Sequence, residues 1–315
     1  MISDPVKFTL TLILTLVTAT AHCAEPKTEP ESYDASVPTP TQSEIPYGAH
    51  ERHVLDFWKA NSDKPTPLVI VFHGGGWNGG SKERVNRFAD VSALLDAGIS
   101  VVACNYRLIK HHAQDVTPPV KAPLHDAARA LQFVRSKATE WNINKERIAA
   151  AGGSAGGCTS LWLLYHDDLA DPTSEDPISR ESTRLYCAAV GGPQTTLDPA
   201  QMKEWTPNSH YGGHAFGKEN FAQFLADRES ILPWVKEFSP IEHVSPDDPP
   251  VYILNKRVPG IGQEQEDPTH TTNFSVKLKE KCDSAGISCQ LNYPGSPHFQ
   301  HSDRTAYLIA KLNSL

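Results

Sequence analysis

The sequence predicts a doubly wound α/β fold: a mainly parallel sheet with helices on both faces and one inserted segment. Three observations predict it. Strand-like and helix-like stretches alternate from residue 53 to the end of the chain. Pro67–Phe72 (PLVIVF) is apolar throughout, as expected of a strand covered on both faces. Glycine-rich turns close two of the strands, His73–Trp77 (HGGGW) and Gly152–Gly157 (GGSAGG), at the carboxyl edge where such sheets bind ligands.

The elements follow in order. His53–Lys59 alternates apolar and polar side chains and reads as an early strand. After Pro67–Phe72, residues Ser81–Asp96 read as a helix, with Phe88, Val91, Leu94 and Leu95 along one face, and Gly98 ends it. Ile99–Arg107 is the next strand, and Pro119–Trp141 holds a helix with Leu124, Ala128, Leu131 and Val134 at helical spacing. Arg147–Ala151 is a short strand, with helix resuming beyond the glycines to about His166, and Leu185–Gly191 is another strand. Residues 196–237 break the rhythm as a lid-like insertion containing Trp205, His210, Tyr211, Phe216, Phe221, Phe224 and Trp234. These aromatics suit either a pocket lining or the insertion's own small core. Strand Pro250–Asn255, helix Asn273–Ala285, strand Ile287–Tyr293 and helix His301–Leu315 complete the series.

The 315 residues carry 37 acidic and 29 basic side chains, a formal net charge of -8. This balance argues against a general nucleic-acid binder or a polybasic membrane ligand. Near the N-terminus, Lys7 precedes an uncharged stretch, Phe8–Ala21, too short to span a membrane and of signal-peptide length. Ala19-Thr20-Ala21 offers a cleavage site, so we expect a signal peptide over 1–21, export to the periplasm or beyond, and no stable membrane insertion after cleavage. Residues 22–47, with five prolines and no apolar periodicity, read as a linker, leaving one large domain over 48–315. Of the total charge, -4 lies in residues 1–47 (six acids, two bases) and -4 in the rest.

Export makes disulfides possible, and Cys282–Cys289 is the best candidate among the cysteines beyond the leader. No Cys-x-x-Cys pair points to structural zinc. His111, His112 and Asp115 read as a solvated loop before Pro118-Pro119 rather than a metal site.

Gly152-Gly153-Ser154-Ala155-Gly156 matches G-x-S-x-G, in which a nucleophilic serine sits on a sharp turn between strand and helix. The crowding of that turn demands small neighbours, and the helix N-terminus favours developing negative charge. The loop 73–77 supplies the second signature: glycines can aim backbone N–H groups at one point. Gly75 and Gly76, joined by Ala155, are the natural donors to a tetrahedral oxyanion, with His73 orienting the loop.

These motifs, with SVVACNYRL at 100–108, DAARALQFVR at 126–135 and RIAAAGGSAGG at 147–157, resemble the α/β-hydrolase fold. Within it, they resemble the hormone-sensitive-lipase-like and feruloyl-esterase-like (BD-FAE-type) carboxylesterases. The resemblance covers roughly residues 50–315. It implies a serine hydrolase acting on small-molecule or polysaccharide esters, with no metal or organic cofactor. It also implies a histidine base in the loop after the last strand, where Pro294-Gly295-Ser296-Pro297-His298 lies; His298 is the choice and His301 the alternative. The usual acid position after the penultimate strand is empty of acids. Counting back from the helix at Asn273 selects Asp267, with Glu264 or Glu266 as substitutes and His270 as a residue that caps or lines the site. The order Ser154, Asp267, His298 is the one expected for this fold. Two other classes stay open: a non-catalytic binding protein on the same scaffold, and a peptidase of the same fold.

Overall fold

The computed structural model describes Met1 and residues 31–113, 115–297 and 300–314. The expected leader and its cleavage site lie outside the described residues. Residues from Ser32 onward form one compact unit.

Among the described residues, eight strands build one sheet: β1 Gln42–Pro46, β2 Val54–Trp58, β3 Thr66–Phe72, β4 Ser100–Cys104, β5 Ile143–Gly153, β6 Cys187–Gly191, β7 Val251–Leu254 and β8 Cys289–Asn292. Their order is β1-β2-β4-β3-β5-β6-β7-β8. Pairing is antiparallel at β1–β2 and β2–β4 and parallel from β4 onward. The helices are α1 Val91–Asp96, α2 Ile109–His112, α3 Lys121–Ser136, α4 Ala138–Trp141, α5 Ala155–Tyr165, α6 Pro199–Trp205, α7 Phe221–Ala226, α8 Arg228–Phe238, α9 Pro240–His243, α10 Thr272–Ala285 and α11 Arg304–Leu312. None of them is long and apolar enough to cross a membrane.

The apolar strand runs are two-sided. On β3, Leu68, Ile70 and Phe72 join one core layer, and Val69 and Val71 join the other. On β5, Ile148 and Ala150 face the first layer, Ala149 and Ala151 the second. The first layer takes Leu124 and Leu131 from α3, Leu161 and Leu164 from α5 and Leu278 from α10. The second takes Val91 and Leu94 from α1 and Leu308 and Leu312 from α11. Each of these side chains is essentially removed from water, which stabilises the fold by about 1.5–3 kcal/mol per large aliphatic residue.

Three expectations change. The helix expected over Ser81–Asp96 is a 3-10 segment, Lys82–Arg87, followed by α1. The break comes because Asp90 caps α1, its carboxylate accepting from the Ala93 amide at 3.1 Å. The linker expected over 22–47 is bound from Tyr33 onward. The Tyr33 hydroxyl donates to Asp56 at 2.5 Å, the Trp58 indole donates to the Pro38 carbonyl at 2.7 Å, and β1 pairs with β2. Backbone and side-chain hydrogen bonds do this work, so hydropathy patterning carries no trace of it. Cys282 and Cys289 are both buried free thiols.

Residues 196–237 fold as α6, a 3-10 turn at Gly213–Phe216, α7 and α8. Most of the aromatics there are core: Trp205, Phe216 and Phe224 are buried in the first layer, and Phe221 packs against it.

One ionic cluster ties three elements together. Asp126 on α3 is buried, accepting from Arg107 Nε at 2.9 Å, Arg107 Nη2 at 2.7 Å and the Arg107 amide at 2.9 Å. His53 Nε2 lies 3.1 Å from Oδ2, the oxygen that also accepts the Arg107 amide. Burial alone would raise the Asp126 carboxyl, but His53 and Arg107 hold it below its ordinary range. A depressed folded-state pKa gives stability that is present above the unfolded value and lost as pH falls through the folded one. We expect Asp126→Asn to cost about 3–5 kcal/mol at neutral pH, measured by urea unfolding. The gap to the parent protein should narrow as pH drops below about 4; a gap independent of pH would refute the ionic role.

Candidate active site

The carboxyl ends of four parallel strands are level: Phe72 of β3 is in register with Gly152 of β5, Gly153 with Gly191 of β6, and Gly191 with Leu254 of β7. Everything chemical in this region stands on that edge.

Ser154 occupies the single residue between β5 and α5, at φ 54° and ψ -127°. Its amide donates to the Gly191 carbonyl at 2.9 Å, locking the turn to β6. The flanking glycines are enforced by space. A Cβ on Gly152 would collide with the Gly156 carbonyl, and one on Gly156 with the Phe72 carbonyl. The sequence pattern is thus a steric requirement, and it projects Ser154 Oγ above the sheet.

The His73–Trp77 loop follows β3. His73 is buried, stacks on Tyr106 at 4.1 Å and shares its Nδ1 with the Gly74 carbonyl at 2.9 Å. It orients the loop, as expected from the sequence. Arg52 braces the loop from beneath, donating to the Tyr106 carbonyl at 2.7 Å and the Gly80 carbonyl at 3.0 Å. Gly75 and Gly76 both have positive φ, 117° and 64°. The Gly75 carbonyl is tied down by the amides of Asn78 and Gly79, and the Gly76 carbonyl accepts from His214 Nε2 at 2.8 Å. Burial pulls the His214 imidazole below its ordinary pKa, which favours the neutral ring making this single donation. Among the described residues, the Gly75 and Gly76 amides have no protein acceptor. They lie on the same cleft as Ser154, in the place where an oxyanion requires donors.

The ring against Ser154 belongs to His270. Ser154 Oγ and His270 Nε2 are 2.9 Å apart, and His270 Nδ1 lies 3.0 Å from Asp267 Oδ2. With Nδ1 protonated and donating to the carboxylate, Nε2 is free to accept from the serine hydroxyl. Asp267 also accepts from the His270 amide at 3.2 Å, an Asp-Pro-x-His turn that sets carboxylate and ring in one conformation. Thr271 then caps α10, fixing where the turn ends. Gly192, at φ 49°, leaves room for the ring, since a Cβ there would stand 3.4 Å from the His270 Cβ. Burial would raise the Asp267 carboxyl, but His270 and then Arg257 hold it below the ordinary carboxylate range.

The expected acid Asp267 is therefore at the site, while Glu264 is exposed and Glu266 reaches Arg257, at 3.4 Å. The expected base is not the residue seen on Ser154. His298 lies outside the described residues, and its alternative, His301, is turned to Gln290 at 3.0 Å. The physical reason His270 takes the place is proximity along the chain: the acid and the ring share one four-residue turn. The signal was present as Asp267-Pro268-Thr269-His270 ahead of a helix. Tyr211, one of the insertion aromatics that the sequence offered as a pocket lining, does line the cleft, its buried hydroxyl without a partner among the described residues, whereas Arg304, also in the lining, was missed. His112 faces Leu108 and Glu51 and makes no metal-ligand cluster with His111 and Asp115 among the described residues.

The cleft over Ser154 measures about 920 Å³ and is floored by Gly74, Gly153 and Gly191. Phe88 and Leu254 give it apolar surface, sized for a small ester or a sugar unit.

The BD-FAE family model matches residues 55–281. A probable carboxylic ester hydrolase of Mycobacterium tuberculosis, LipM, is 27% identical over 235 residues, 68% of this chain and 47% of that protein. Esterase LipC from the same organism is 30% identical over 135 residues, 42% of this chain and 30% of that protein. The chain thus spans less than half the length of these curated relatives. Among solved structures, a truncated carbohydrate esterase from gut microbiota superimposes with a TM-score of 0.66 at 19% identity, covering 90% of this chain and all of that one. An acetyl ester-xyloside bifunctional hydrolase from Caldicellulosiruptor lactoaceticus gives 0.57 at 24% identity over 78% of each chain. These likenesses establish the α/β-hydrolase fold.

The geometry of the glycine loop is testable. A methyl group at Gly75 would collide with the Gly79 carbonyl and strain a φ of 117°. We expect Gly75→Ala to keep the far-ultraviolet circular dichroism of the parent while losing about 10²–10³ in kcat on an activated ester. Full activity would remove Gly75 from the site.

Proposed function

The chain belongs to the BD-FAE family, and on that premise we propose that it is a serine esterase that cleaves carboxylic esters through Ser154, His270 and Asp267. The observation that carries the reading is the hydrogen-bonded series Ser154 Oγ–His270 Nε2, His270 Nδ1–Asp267 Oδ2, at 2.9 and 3.0 Å. The named activities of the relatives, ester hydrolysis in each case, agree with it.

In this mechanism Ser154 Oγ attacks the ester carbonyl carbon while His270 Nε2 takes its proton. Asp267 holds the ring in the tautomer that leaves Nε2 unprotonated and stabilises the imidazolium that forms. The amides of Gly75, Gly76 and Ala155 receive the oxyanion, aided by the N-terminus of α5. The carbon–oxygen bond to the alcohol then breaks, and His270 returns the proton to the departing oxygen. Water, deprotonated by the same ring, releases the acid and restores Ser154. No step calls for a metal or an organic cofactor. We propose short acyl groups, free or on polysaccharide, as substrates, the cleft volume and the carbohydrate-esterase neighbours supporting that choice. The signal peptide expected over 1–21, with its uncharged run Phe8–Ala21, supports action outside the cytoplasm.

The test is 4-nitrophenyl acetate hydrolysis by purified variants. We expect Ser154→Ala and His270→Ala each to lose about 10⁴-fold or more in kcat, and Asp267→Asn about 10⁴-fold. His298→Ala is the deciding companion. Loss of activity there with His270→Ala unaffected would hand the base role to His298, and unchanged turnover in Ser154→Ala would end the serine mechanism.

A further inference from the structure

The charge of the cleft is opposite to that of the chain. The whole sequence carries a formal -8. Yet among the described residues the cleft over Ser154 is lined by Arg84, Arg87, Lys256, Arg257 and Arg304 against a single carboxylate, Asp267. That carboxylate is already committed, to His270 at 3.0 Å and to Arg257 at 3.3 Å. Arg257 is further satisfied by Glu266.

Arg304 is the residue that needs an explanation. It begins α11, and its guanidinium reaches back over the sheet edge to stand where a side chain on Gly191 would go, beside the strand end that locks Ser154. It is half-buried, and burial pulls it below the ordinary arginine range. Among the described residues its one hydrogen-bond acceptor is the Arg87 carbonyl, at 2.7 Å from Nη2, and no carboxylate lies within ion-pair distance. The neighbouring Asp303 is turned away, capping the Ala306 amide at 2.8 Å and accepting from Ser302. Arg87 and Lys256, on the two lips of the cleft, are exposed and likewise have no carboxylate partner among the described residues. A partly desolvated guanidinium with donors to spare costs stability unless an anion completes it.

We propose that the cleft selects esters that carry a carboxylate on the acyl or the alcohol part, with Arg304 as its primary partner and Arg87 and Lys256 as the outer cations. Acylated glycans with uronic acid units and half-esters of dicarboxylic acids share this chemistry. The proposal rests on Ser154 being the esterase nucleophile and adds the substrate class to it. In the acylation complex the ester carbonyl sits between Ser154 and the Gly75–Gly76 amides, and the carboxylate lies on the opposite, Gly191 side. No new bond chemistry is involved; the cations recruit and orient.

The test uses two matched pairs of esters and the full-length protein. One pair places the charge on the acyl side (mono-4-nitrophenyl adipate against 4-nitrophenyl hexanoate). The other places it on the alcohol side (4-acetoxybenzoate against its methyl ester). At low ionic strength we expect kcat/KM to favour the carboxylate member of at least one pair by about tenfold or more. The preference should collapse toward parity in about 1 M salt, where the screening length is about 3 Å. Arg304→Gln should reduce the charged-to-neutral ratio about tenfold, read within the same preparation so that a change in overall activity cancels. Arg87→Gln and Lys256→Gln are surface changes and should each lower the ratio by a smaller factor, which keeps the test decisive if Arg304→Gln does not fold. Hydrolysis of both pairs without charge preference, or a preference untouched by the variants and by salt, would overturn the proposal alone. Failure to hydrolyse all four esters would overturn the esterase reading, and this one with it.

Discussion

A strand that becomes a helix within one residue sets the terms for the whole carboxyl edge of the sheet. Ser154 can hold a φ of 54° between β5 and α5 only if nothing else competes for the space. Gly152 and Gly156 lack side chains because their Cβ positions are occupied by the Gly156 and Phe72 carbonyls. Gly74 is bare because a Cβ there would stand 2.8 Å from the Gly153 carbonyl. Gly153, the last residue of β5, is bare as well, since a Cβ there would stand 2.8 Å from the Phe88 ring. Strain of this kind persists only where surroundings over-determine it. Here the Gly191 carbonyl, the Phe72 carbonyl and the buried loop at His73 all press on the same turn.

This explains which parts of the molecule were legible in the sequence. A steric requirement leaves a residue pattern, so GGSAGG and HGGGW could be read directly, and so could the two-sided strands, whose burial demands unbroken apolar runs. Asp267 could be reached by counting back from α10. The partner of Ser154 could not, because a histidine is free to come from any loop at the sheet edge, and both His298 and His270 follow a strand there. What distinguishes His270 is a three-dimensional fact: the turn at Asp267-Pro268 points its ring over the bare Gly192. Docking of Tyr33–Pro46 on β2 was equally hidden, since polar contacts such as Tyr33 to Asp56 leave no periodic signature.

The insertion resolves a similar ambiguity. Trp205, Phe216 and Phe224 are spent on packing the segment against the main core, so their number says little about substrate. The segment instead touches the site through two polar side chains. His214 fixes the Gly76 peptide by a 2.8 Å hydrogen bond, and the Tyr211 hydroxyl stands 3.5 Å from where a Cβ on Gly76 would be. A rearrangement of this segment would therefore reach the glycine loop directly, through the one carbonyl that His214 holds.

Charge gives the last step of the synthesis. Net charge describes steering at long range, whereas a cleft with low-dielectric walls is governed by the few charges inside it. An acidic surface around a cationic cleft would repel a polyanion approaching at random and hold one only where the cations are gathered. Arg304 sharpens this, because among the described residues it is anchored by a single carbonyl and by the start of α11, while it lines the cleft. The same side chain stands over Gly191, whose carbonyl holds the Ser154 amide. An anion bound at Arg304 would thus sit at a fixed offset from the nucleophile, so that binding a charge and presenting an ester become one geometric event.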